Sequence, residues 1–213
     1  LELDATFEVL SEAEHNRVTA TYAPLAAAVR DLIDATIRTE ADDDVILQAR
    51  TAIEAVTRSL RSQRTRPSGI SYRVDGRPVP LGNAAVGQCN PIAPPLVVHH
   101  DPDARDGRCF SEFVLGTAYE GPPGLAHGGV SALVLDHMLG EAASRGLTQP
   151  LFTGTITVKY LRGTPLGPVR SEAWIDRTAG IKTFARGFIS DKAGVTVEAE
   201  GIFIKPAWAR EGE

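Results

Sequence analysis

Hydrophobic positions recur along this chain with three different rhythms, and each predicts a different kind of element. In the first third, Leu25, Val29, Leu32, Ile33 and Ile37 return at helical spacing, and so do Ile46, Ala49, Ile53, Val56 and Leu60. Ser11 followed by Glu14 makes a capping box for the first helix. Asp42, Asp43 and Asp44 can cap the second, with Arg58 and Arg61 near its C-terminal end. Pro24 predicts a kink or a restart in the first helix. Residues 1–66 therefore read as a helical extension of two amphipathic helices, which can form a hairpin but need another surface to bury their apolar stripes.

Residues 67–98 lose the rhythm. The run "RPSGISYRVDGRPVPLGNAAVGQCNPIAPPL" is dense in Pro and Gly and predicts an ordered connecting or wrapping segment. Asn90 and the "APP" after it either shape a pocket rim or belong to a loop held by its prolines.

From Leu96 onward a period of two takes over. "LVVHH" and "CFSEFVLGTAYEG" flank the turn "DPDARDGR", and four more strand-like runs follow between residues 151 and 206. In the first of these, Thr153, Thr155, Thr157 and Lys159 alternate with Gly154, Ile156, Val158 and Tyr160. "DKAG" at 191–194 is a hairpin signal. One apolar helix, from about Gly128 to Arg145, interrupts the strands. The predicted order is a hairpin, a long helix and an antiparallel meander, an α+β sheet curled around one central helix.

Composition narrows the partners. At 213 residues the chain can hold one sizeable core plus an appendage. A net charge of −5 without a basic run argues against nucleic acid. Cys89 and Cys109 lack a framework spacing, which fits a reducing compartment. No apolar run approaches the roughly 20 residues of a membrane span. The first ten residues carry no signal-peptide pattern and no initial Met, so a trimmed, cytoplasmic protein is expected.

The chemistry concentrates in "GPPGLAHGGVSALVLDHMLGEAA", residues 121–143. A helix start ordinarily takes Ser, Thr, Asp or Asn as its cap, whereas this one takes His127, Gly128 and Gly129. Bare glycine amides at a helix start either permit a tight chain entry or point at developing negative charge. Asp136 stands alone among Leu133, Val134, Leu135, Met138 and Leu139, on a wet face or held in a site. "HHDPDARDGRC" at 99–109 is not a metal site, because adjacent strand histidines point to opposite faces. His137 follows the acid on a different helix face and receives no role. There is no GxSxG elbow, Walker loop or GxGxxG.

With that order and that motif, the region from about residue 96 to 206 resembles the hotdog-fold acyl-CoA thioesterases. It is most similar to the branch holding phenylacetate-pathway and mammalian long-chain acyl-CoA thioesterases. "YEGPPGLAHGG" at 119–129, the gap to Asp136, Gly140, and "LFTGTITVKYLRGTP" at 151–165 carry the likeness. The resemblance implies a hotdog domain over 99–206, an acyl-CoA substrate and no cofactor. It implies that the Gly129 amide, ahead of Gly128, polarises the thioester carbonyl. Asp136 acts as general base or as nucleophile. His127 either donates to the thioester oxygen or bonds the backbone. Thr153, with Thr155 as its rival, positions water beside the acid. Some relatives carry an amide side chain where this chain has Gly121.

Gly128 and Asp136 lie roughly 12 Å apart along one helix axis. If both act on one carbonyl carbon, the acid must come from a second subunit, so a homodimer is expected, or a tetramer built from it. Arg162, Lys159 and Lys182 are candidates to receive the phosphates of CoA. Two other activities fit the same fold: an acyl-CoA-binding protein without catalysis, and a hydratase or dehydratase.

Overall fold

The computed structural model describes residues 7–63 and 71–210. A strand β1, Phe7–Val9, precedes helix α1, Glu12–Arg38. The capping box forms: the Ser11 hydroxyl accepts the Glu14 N–H at 3.2 Å, and the Glu14 carboxylate accepts the Ser11 N–H at 2.9 Å. α1 runs through Pro24 as one helix, without a restart. Pro24 and Ala20 are both exposed, so water can serve the carbonyl that proline leaves unbonded.

Helix α2, Asp43–Arg61, follows after a short link. The two helices do not zip into a hairpin. Leu25, Leu32 and Ile37 on α1 and Ile46, Ile53, Val56 and Leu60 on α2 remain 39–56% exposed. α1 instead buries Val18 and Ala26 and packs against a short 3-10 turn at Thr117–Tyr119.

The connecting segment contains a hairpin of β2, Ser71–Val74, and β3, Arg77–Val79, and β1 pairs with β2 in parallel. The cue for this hairpin in the sequence is the pair Asp75-Gly76, a short-range turn signal. Asp75 and Gly76 take φ of 48° and 77°, as a two-residue hairpin turn with both central residues left-handed requires. Beyond β3 the chain has no regular structure up to residue 98, yet Leu81, Ala85, Ala93 and Leu96 are buried.

The large sheet comprises β4 (His99–His100), β5 (Cys109–Leu115), β6 (Phe152–Tyr160), β7 (Gly167–Ala179), β8 (Lys182–Asp191) and β9 (Gly194–Ile204). Helix α3, Gly128–Ala143, joins β5 to β6 and lies across one face. Val134, Leu135, Met138, Leu139 and Ala142 on α3 are buried against Phe113, Val169, Ala173, Ile189, Val197 and Phe203 from the strands. This is the expected α+β arrangement of a sheet wrapped around one helix.

The strand order corrects the predicted meander. It runs β4-β5-β7-β8-β9-β6, so β6 pairs with β9 and not with its successor β7. The physical reason is α3 itself. To cover the apolar face, the helix carries the chain across the sheet and delivers β6 to the edge opposite β4. That edge strand borders the candidate site.

Candidate functional site at the start of α3 and the edge strand

The loop entering α3 is shaped around His127. The His127 N–H donates to the Tyr119 carbonyl at 2.8 Å, and Gly121 N–H donates to the Leu125 carbonyl at 2.9 Å, closing a tight turn. A Cβ on Gly121 would stand 2.8 Å from the Cα of His127. Glycine is needed there because the turn folds directly onto the histidine, which accounts for the missing amide side chain in packing terms.

His127 is itself the helix cap: its Nδ1 accepts the Gly129 N–H at 2.9 Å. With Nδ1 acting as acceptor, the ring proton of the neutral imidazole sits on Nε2. The Gly129 amide, expected to be free, is thus occupied by its own cap. The Gly128 N–H meets no acceptor among the described residues. The Tyr160 hydroxyl, from the far end of β6, donates to the Gly128 carbonyl at 2.8 Å and ties the helix start to the edge strand.

Two turns along α3, half-buried Asp136 accepts a hydrogen bond from the Thr153 hydroxyl, Oγ1 to Oδ1 at 2.8 Å. Strict alternation would set Thr153 on the same face as Thr155 and Thr157. A bulge between Thr153 and Thr155 shifts the register by one residue and turns Thr153 toward the helix instead. Thr155 and Thr157 line the opposite face beside Arg186 and Glu200. Within one chain, then, the helix start lies at the Tyr160 end of β6 and the acid at the Thr153 end.

Comparison with known proteins finds likenesses over the region that holds this geometry. The model of the thioesterase superfamily matches residues 123–198. Acyl-coenzyme A thioesterase THEM4 of Xenopus laevis is 34% identical over 96 residues, which are 44% of this chain and 43% of THEM4. The chain spans under half the length of that relative. The crystal structure of a thioesterase superfamily protein, RHA08564, superposes with a TM-score of 0.76 at 28% identity. That match covers 86% of this chain and 90% of RHA08564, more than the sheet domain alone.

The remaining candidates scatter. The Arg162 guanidinium donates to both carboxylate oxygens of Asp191 and to the Gly194 carbonyl, so it clamps the β8–β9 turn. That clamp holds the Asp191 carboxyl down at about 2. Lys159 stands level with Glu198, whereas Lys182 stands level with Ile204 near the other end of the sheet, too far along for both to grip one phosphate group. The Asn90 amide is spent inside its own loop, donating to the Gly82 and Asn83 carbonyls and accepting from the Ile92 N–H.

One group the sequence did not flag is Glu141, whose side chain is 9% exposed. His100 Nε2 approaches it at 3.4 Å and His137 Nε2 at 3.3 Å. Burial pushes this carboxyl up, but the two imidazoles outweigh burial and hold it at about 2. His99, the other member of the histidine pair, stacks on Phe110 with ring centroids 5.2 Å apart. The i, i+4 spacing of His137 and Glu141 was the available signal; the third partner, on a distant strand, was not.

Proposed function

We propose that this protein hydrolyses acyl-CoA thioesters to the free acid and CoA, at two equivalent sites shared across a twofold dimer. The observation that carries the reading is the Asp136–Thr153 pair beside an unpaired edge strand, with a glycine-opened helix start at the strand's other end. The name of the relative THEM4 supports the same substrate class.

β6 offers its outer edge, with Phe152 46% and Tyr160 53% exposed. A second copy laid antiparallel along it, with Thr153 of one chain level with Tyr160 of the other, brings Asp136 of one protomer to the α3 start of its twin. The thioester oxygen is then held by first-turn amides of α3, where the helix dipole favours negative charge. Gly128 supplies the amide that lacks a protein acceptor, and Gly129 joins when the imidazole of His127 gives way. Thr153 engages Oδ1 of Asp136, leaving Oδ2 to take a proton from water. The water oxygen bonds to the carbonyl carbon, the carbon–sulfur bond breaks, and CoA departs as the thiolate, which takes up a proton.

The test is a panel of acyl-CoAs with free thiol followed over time. CoA release that Asp136→Asn abolishes supports the reading. Binding without release would make the chain an acyl-CoA-binding protein, and consumption of an enoyl thioester by absorbance would make it a hydratase.

A further inference from the structure

Helix α2 carries an apolar stripe that nothing among the described residues covers. Ile46, Ala49, Ile53, Val56 and Leu60 follow one another at alternating steps of three and four residues, the spacing of a helix that lies along another helix. Ile46, Ile53, Val56 and Leu60 are 40–56% exposed, and no residue of α2 is buried. A helix of this length draws most of its stability from a packed face.

The charges on α2 select the occupant. Asp43 and Asp44 stand in the first turn and Arg58 and Arg61 in the last, while Arg50 and Glu54 pair within the helix at 2.8 Å. Acids and bases balance. A helix lying on a membrane would carry an excess of Lys and Arg on its polar face. Asp43 and Arg61 are eighteen residues apart, about five helical turns, so they lie on the same flank of the stripe. Turned antiparallel against an identical helix, about an axis beside Ala52, the helix sets each Asp43 near the Arg61 of the other copy. The same turn covers both stripes and opposes the two helix dipoles. A parallel partner would carry its Asp43 and Arg61 to the opposite flank of the seam, where neither meets the other.

We infer that α2 is a self-association surface that pairs antiparallel with α2 of a second copy of this chain. The pairing is separate from the edge-strand contact of β6 and requires no substrate, so its fate does not depend on the thioesterase reading.

A pyrene label on Ala52→Cys in the full chain reports this pairing as excimer emission, read above the wild-type chain labelled in the same way. Excimer emission that rises with protein concentration is expected. Adding Asp43→Arg or Arg61→Asp weakens association by about tenfold or more, and an equimolar mixture of the two charge-reversed chains restores it. Ile53→Asp removes it with the circular dichroism of the folded chain unchanged. Absence of an excimer at every concentration, or an excimer indifferent to both charge reversals, overturns the inference. Co-flotation with phosphatidylserine vesicles in place of an excimer overturns it too, and assigns the helix to a membrane surface.

Discussion

Helix α3 carries two acids little more than one turn apart, and they live in opposite surroundings. Asp136 faces the β6 edge, half-buried, with one hydroxyl from Thr153 on one of its oxygens. Glu141 faces the β4 side, buried, with an imidazole against each oxygen. A carboxylate held at about 2 is a poor proton acceptor near neutral pH, because Brønsted behaviour rewards a base whose pKa lies close to the working pH. Glu141 is therefore a structural anion that ties strand β4 to the helix. Asp136 is the acid with an oxygen to spare. The contrast teaches that a site is marked less by burial than by which group the fold leaves incompletely satisfied.

The largest effect that would break this contrast is loss of Asp136. Asp136→Asn is expected to cut kcat for acyl-CoA hydrolysis by about 100- to 10,000-fold while leaving thermal unfolding where it was. Glu141→Ala is expected to do the reverse. Removing the anion takes the partner from His137 and from half-exposed His100 and costs about 2 kcal/mol, or roughly 6 °C in Tm, with turnover per folded molecule retained. If Glu141→Ala abolished turnover at unchanged stability, the roles would have to be exchanged.

Acid titration sharpens the same point. Because Glu141 sits at about 2 in the folded chain against 4.5 ordinarily, its charge favours the folded state at pH values just above 4.5. That contribution fades as the pH falls from there toward 2. Unfolding curves of the wild type and Glu141→Gln should differ most just above pH 4.5 and converge at the acid end. The smallest effect concerns the bulge. Thr153→Val is expected to lower kcat by about tenfold through one lost hydrogen bond to a carboxylate, Thr153→Ser to restore most of it, and Thr155→Val to change nothing. Equal losses at positions 153 and 155 would mean that the register shift does not decide which threonine serves Asp136.

Several features were readable before any coordinates. The capping box at Ser11 and Glu14, the helix from Gly128 and the hairpin turn at 191–194 are all local patterns, and the structure bears each out. The misses share a cause. The β1–β2 pairing, the crossing of β6 to the far edge and the failure of α1 and α2 to pack together all depend on which surfaces meet across long stretches of chain.

The sequence by itself determined the kind of elements, their order and the residue types available for chemistry, because backbone preference and hydrophobic period act over a few neighbouring residues. Only the tertiary structure decided that Thr153 rather than Thr155 reaches Asp136, since one extra residue in a ladder flips a side chain to the other face. Only the tertiary structure committed Arg162 to the β8–β9 turn, some thirty residues along the chain. A hydrogen bond is settled by where two groups are brought in space, and for Glu141 those groups came from one helix and a distant strand.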